Sequence, residues 1–220
     1  MYDLALISII SYLLGSIPFS YLVGKTYGKN LFEIGSRNIG TVNVYRATGK
    51  FEALLFALIG DVGKGTLAIF LAQKLSFLGY NLFLAQALAA FFIIAGHNWP
   101  IFLKFKGGRG LASLIGVILI LNWKIVPLVL GAVLFFILLT ELIMKKRIEL
   151  KGNFKEKIKN LFSIFISQVF GRVIGIAMAA ISVYLLYPQV FKIVFPASIL
   201  AGIKHIKRTK EFLKKPNETK

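Results

Sequence analysis

The chain has 220 residues, 57% hydrophobic and only 16% charged, against roughly 45–50% and 25% in soluble domains. That excludes an ordinary soluble domain and points to an integral membrane protein, in keeping with a mean hydropathy of +0.75. A net charge of +18 in such a protein fixes topology and meets anionic headgroups or substrates, so no nucleic-acid partner is expected. The absence of cysteine excludes disulfides, thiolate catalysis and cysteine-ligated metal.

A membrane-spanning helix needs about 20 largely apolar residues. In chain order, seven runs qualify: 4–23, 51–75, 82–96, 111–123, 125–144, 161–187 and 189–203. The third, fourth and seventh are short, so they borrow loop residues, tilt little or fall short of a full crossing. Because apolar runs recur to the end of the chain, the first is expected to be a span rather than a cleaved leader. The expected fold class is therefore all-α integral membrane, with a single seven-helix domain over 1–203 and a flexible basic tail over 204–220.

Orientation follows from the cations. Placing the N-terminus outside puts five Lys and Arg in 25–50, three in 98–110, seven in 145–160 and seven from 204 onward, 22 on one side against three (Lys74, Lys124, Lys192) on the other. That bias directs the basic side, with the C-terminus, to the cytoplasm.

Two of the inward loops carry candidate chemistry. "GSRNIGTVNVYRATGK", 35–50, gathers Gly35, Ser36, Asn38, Gly40, Thr41, Asn43 and Arg46. Glycines let backbone amides approach an anion, hydroxyl and amide groups donate hydrogen bonds, and arginine forks onto phosphate oxygens. An ordinary turn, which Gly and Asn also favour, is the competing reading. "GHNWPIFLKFKGGRG", 96–110, repeats the theme with Lys106, Gly107, Gly108, Arg109 and Gly110 running into a helix expected from Leu111. A helix start directs free amides and a positive dipole at what precedes it, so this loop is a candidate phosphate holder.

Asp61 and Lys64 stand three apart in the second span and hence on one face. Charges at that depth either pair with each other or line a polar site. The stretch "GDVGKGT" lacks the first glycine of a Walker loop. His97 and His205 are the only histidines, both at expected cytoplasmic span ends, and two histidines without a carboxylate at ligand spacing do not make a catalytic metal site. No metal and no cofactor is expected. The His-x4-Asp pattern of thioester-dependent acyltransferases is excluded, because Phe102 stands where its Asp would be.

Taken together and in order, "GSIPFSYL" from Gly15, "GSRNIGTVNVYRATGK", "DVGKG" from Asp61 and "GHNWPIFLKFKGGRGLAS" resemble the bacterial acyl-phosphate:glycerol-3-phosphate acyltransferases. The resemblance covers roughly the first half of the chain and returns near His205. It implies a seven-helix inner-membrane enzyme with its N-terminus outside. Such an enzyme moves a fatty acyl group from acyl phosphate to glycerol 3-phosphate, releasing lysophosphatidate and phosphate without a cofactor. Carried over by position, the family's first motif falls on Gly35, Ser36, Asn38, Gly40, Asn43 and Arg46. The second falls on His97, Pro100, Phe105, Lys106, Gly107 and Gly108, with Arg109 where Lys is usual, and the C-terminal His falls on His205. Arg37 stands for a usual Gly, Thr41 and Val42 stand for Ala-Thr, "TELIMKKRIELKG" replaces the usual stretch after the fifth span, and Arg208-Thr209 stands for Asn-Ile.

With acyl phosphate already activated, direct attack by the glycerol hydroxyl suffices. Lys106 and Arg46 are expected to neutralise phosphate and developing charge, Ser36, Asn38 and Asn43 to orient substrates, and a phosphate oxygen to take the hydroxyl proton, with His205 as the alternative base. Gly35, Gly40, Thr41, His97, Gly107, Gly108, Arg109, Gly110, Asp61 and Lys64 complete the expected substrate-binding set. Three other readings stand beside this one: a transporter of an anionic solute using Asp61 and Lys64 at the membrane midplane, a basic membrane scaffold, and a catalytically weak paralogue.

Overall fold

The computed structural model describes residues 2–75, 79, 81–143 and 170–214. Among them every regular element is helical: α1 Tyr2–Ser16, α2 Phe19–Thr26, α3 Thr41–Thr48, α4 Phe51–Leu75, α5 Leu82–Asn98, α6 Leu111–Asn122, α7 Ile125–Ile143, α8 Phe170–Leu186 and α9 Pro188–Lys214, with a 3-10 turn at Ile101–Leu103. Three stretches are long and apolar enough to cross a membrane, Leu4–Thr26, Phe51–Leu75 and Leu82–Leu103, and three shorter apolar helices accompany them. The basic segment 145–160 and the start of the sixth expected span, 161–169, lie outside the described residues.

The first expected span is two helices rather than one. Pro18 has no N–H to continue the ladder and pushes the residue before it out of the α region, so α1 stops at Ser16 and α2 restarts at Phe19. The 35–50 segment, read as a loop, contains α3, capped by Gly40 in an extended conformation and by Gly49 at φ 68°. The last helix runs on to Lys214, into the segment expected to be a flexible tail.

The helices fall into two compact units. The first comprises residues 1–122 and 192–220. Small residues set its packing, as befits helices that have lipid rather than water as the alternative neighbour. α1 crosses α5 at Gly15 and Gly96, where a methyl on either glycine would run into the other helix's backbone, and α4 crosses α6 in the same way at Gly65 and Gly116. On α2, Phe19 fills the space left by Gly60 of α4, where an added Cβ would meet its ring at 2.5 Å. Below these crossings Leu31, Ile39, Val44, Ala53 and Ala57 form a buried cluster that seats α3 on α4. The second unit, residues 123–191, pairs α7 with α8 through Gly175, where a Cβ would stand 2.6 Å from the Cα of Val133.

Candidate active site

The Pro18 break supplies the first part of the site. The break turns the carbonyls of Gly15 and Ile17 toward α4, whose Lys64 ammonium donates to both, at 3.0 and 2.8 Å, while Ile17 also accepts from the Phe19 amide. Lys64 also pairs with Asp61 at 2.9 Å, both side chains almost wholly buried. Asp61 in turn accepts a 2.6 Å hydrogen bond from Ser20 on α2. Asp61 and Lys64 thus lie on one helical face, bonded to each other, to Ser20 and to the Gly15 and Ile17 carbonyls, and together they clamp the break.

His97 carries this network to the glycine-rich loop. Its Nδ1 lies 3.6 Å from Asp61 Oδ1 and 3.2 Å from Ser113 Oγ in the first turn of α6. The backbone carbonyl of His97 accepts from Gly108 N at 3.0 Å. Gly107 and Gly108 press on the end of α5: a Cβ on Gly107 would overlap the His97 carbonyl, and one on Gly108 would overlap the His97 ring. That same Cβ on Gly108 would come within 2.9 Å of the Ile39 carbonyl, so the two basic loops meet at this glycine. Asn98 is buried and donates to the Leu200 carbonyl of α9 at 3.0 Å, while Lys204 lies 4.9 Å over the Trp99 ring. Both contacts seat the α9 turn before His205 on the same junction; the His205 side chain itself lies outside the described residues.

The first loop is shaped from within. Asn43 is buried on α3; its amide donates to the Leu31 and Ile34 carbonyls at 3.1 Å each, and its Oδ1 accepts from Ser36 N at 2.8 Å. Gly35 sits at φ 59°, with the Arg46 stem about a van der Waals contact away, since a Cβ there would lie 3.5 Å from Arg46 Cβ. Arg37 holds φ 52°, a conformation that glycine adopts without strain. Ser36, Asn38 and Thr41 are half-buried and Arg46 is exposed.

In the second loop Lys106 is exposed, Arg109 half-buried, and Gly110 buried at φ 78° where α6 begins. Ahead of Lys106 the chain turns on Lys104 and Phe105, at φ 50° and 62°, a left-handed pair that costs roughly 1–2 kcal/mol per residue. The structure therefore brings Ser36, Gly35, Asn43 and Arg46 together in one loop and His97, Gly107 and Gly108 in the other. Asp61 and Lys64 lie a layer behind. Ser20, Asn98 and Ser113 were not singled out from the sequence, although each lies inside a motif; a lone hydroxyl or amide at the edge of an apolar helix was their only signal.

The arrangement gathers hydroxyls, amide side chains and cations at the ends of apolar helices. A family model described as glycerol-3-phosphate acyltransferase matches residues 5–215. The glycerol-3-phosphate acyltransferase of Carboxydothermus hydrogenoformans is 36% identical over 81% of this chain and 87% of its own. That of a Jannaschia species is 44% identical over 56% of this chain and 58% of its own length. A crystal structure of PlsY (YgiH), an integral membrane glycerol 3-phosphate acyltransferase in its glycerol 3-phosphate form, shares the fold at a TM-score of 0.64 and 23% identity, covering 96% of this chain and 90% of that one. With a family model spanning nearly its whole length and a relative aligned over most of both chains, the protein belongs to the glycerol-3-phosphate acyltransferase family.

Proposed function

We propose that the protein transfers a fatty acyl group from acyl phosphate to glycerol 3-phosphate, as a multi-pass inner-membrane enzyme of phospholipid synthesis. The observation that carries this reading is the meeting of the two glycine-rich, cationic loops at Gly108, between the His97 ring and the Ile39 carbonyl. Both substrates bear phosphate, and two adjoining anion cradles at the end of an apolar bundle suit a pair of them. A glycerol hydroxyl attacks the acyl carbon; the new ester C–O bond forms as the acyl–phosphate C–O bond breaks, phosphate leaves, and the hydroxyl proton passes to a phosphate oxygen or to His205. Lys106, Arg46 and Arg109 hold the phosphates and the developing oxyanion, in loops shaped by Gly35, Gly40, Gly107, Gly108 and Gly110. Ser36, Asn38 and Thr41 orient the substrates. Asn43 acts through the backbone it closes, and His97, Asp61 and Lys64 through the loop and helix break they brace.

No histidine or carboxylate among the described residues holds the Ser36 hydroxyl, whose neighbour Asn43 bonds the Ser36 amide instead. Direct transfer is therefore expected over an acyl-enzyme. Incubation with acyl-labelled acyl phosphate alone should leave no label on the denatured protein, and adding glycerol 3-phosphate should move the label into lipid. A kinetically competent adduct on Ser36 would refute direct transfer and leave the substrates standing.

The proposed topology is seven crossings with the N-terminus outside, supported by the 22 to three distribution of cations. Because the chain lacks cysteine, single cysteines at Lys29, Lys104 and Lys124 report without background. An impermeant maleimide on intact cells should reach only position 124, and the reverse pattern would overturn the orientation.

A further inference from the structure

The turn over residues 100–106 uses a backbone that its side chains disfavour. Lys104 and Phe105 are consecutive left-handed residues, at φ 50° and 62°, where glycine would sit without steric cost. The turn's amides are satisfied locally: Leu103 and Phe105 donate to the Pro100 carbonyl, Lys104 to Ile101 and Lys106 to Leu103. A lysine and a phenylalanine held in this conformation have a use for their side chains. Within the protein that use is small. Phe102 is 61% exposed, Phe105 56% and Ile101 49%, and only Leu103 among them packs onto the cluster around Leu31, Ile39 and Val44. Leu103 pegs the turn, while three apolar side chains and the exposed Lys104 and Lys106 project from it.

Depth adds a second argument. α5 has 17 residues, about 25 Å at the rise of an α-helix, so a turn at its end lies close to the edge of a hydrocarbon layer about 30 Å thick. Aromatic rings and ammonium groups presented together at that level match the headgroup region, with rings among the upper acyl chains and cations at the lipid phosphates.

We propose that the 100–106 turn is a seat for an anionic lipid leaflet, with Phe102 and Phe105 entering the acyl chains and Lys104 meeting headgroup phosphate. If the proposed reaction also holds, the seat keeps Lys106 and the glycine loop at the height where an anionic amphiphile carries its phosphate. The seat itself is testable without activity. Nitroxide labels on single cysteines at Phe102 and Phe105, in the full chain in lipid nanodiscs, report collision with lipid-soluble oxygen and with a water-soluble nickel reagent; Lys29→Cys is the aqueous reference.

Labels at 102 and 105 are expected to favour oxygen, the label at 29 nickel, and the first two to move deeper when about a third of a zwitterionic bilayer is replaced by anionic lipid. Water-like collision at 102 and 105, or a depth indifferent to anionic lipid, overturns the proposal. Phe105→Gly separates the seat from the fold: it removes the strained side chain, so the thermal midpoint should hold or rise while the label at 102 shifts toward water. A marked fall in midpoint would mean that Phe105 packs within the protein, and would equally overturn it.

Discussion

Replacing Lys64 by Met, or Asp61 by Asn, should each cost about 3–5 kcal/mol of stability, because either change strands a buried charge. Lys64→Met leaves the Asp61 carboxylate with Ser20 and His97 and also takes the ammonium from the Gly15 and Ile17 carbonyls, the second of which keeps the Phe19 amide. Asp61→Asn leaves the ammonium with neutral acceptors and no counter-charge. Combined, the substitutions remove both charges at once, so the double variant should be more stable than the sum of the single losses implies, by roughly 2 kcal/mol. Unfolding in detergent measures this coupling. Strictly additive losses would contradict the clamp. Activity is expected to fall further than stability in the double variant, since His97 then keeps Ser113 but loses the carboxylate that orients its ring beside Gly108.

The second large effect separates two lysines of one loop. Lys106→Ala should lower turnover about 10- to 150-fold, the loss of a charge-assisted phosphate contact worth roughly 1.5–3 kcal/mol. Lys104→Ala should stay within about fivefold, as expected for an exposed cation outside the anion cradle. Both side chains are exposed, so burial does not distinguish them. Position does: Lys106 is followed at once by Gly107, which is pressed onto the end of α5, and by Gly108, whose amide bonds the His97 carbonyl. Steady-state kinetics of the two variants at matched expression checks the difference, and equal losses would remove the local anion site.

The helices were legible in the sequence where apolar runs end abruptly. Phe51–Leu75 is helical over the whole run read from hydropathy, and α6 begins at Leu111 as the glycine-rich stretch before it implies. Hydropathy averages across Pro18, so the break in the first span and the carbonyls it turns toward α4 did not show, although the residue that causes them is plain. α3 hid inside a loop because its eight residues include Thr, Val and Asn, weak helix formers; burial of Val44 and Asn43 decides the matter. The site was legible as composition. Glycines, hydroxyls and cations marked both loops, and the spacing of Asp61 and Lys64 put them on one face while leaving open whether they pair or line a site; the 2.9 Å contact is a pair. Contacts made across 16 to 49 residues, such as Ser113 to His97 and Lys64 to Gly15, have no local pattern. They separate the residues that brace the loops from those that are open to a ligand.

The most direct measurement is phosphate release by the purified protein supplied with a long-chain acyl phosphate, with and without glycerol 3-phosphate. Release is expected to depend on glycerol 3-phosphate, to saturate with it, and to match lysophosphatidate one for one, with Lys106→Ala strongly impaired under the same conditions. Release that is equal without glycerol 3-phosphate, or lipid product formed equally well by Lys106→Ala, would contradict an acyl transfer carried out between these two loops.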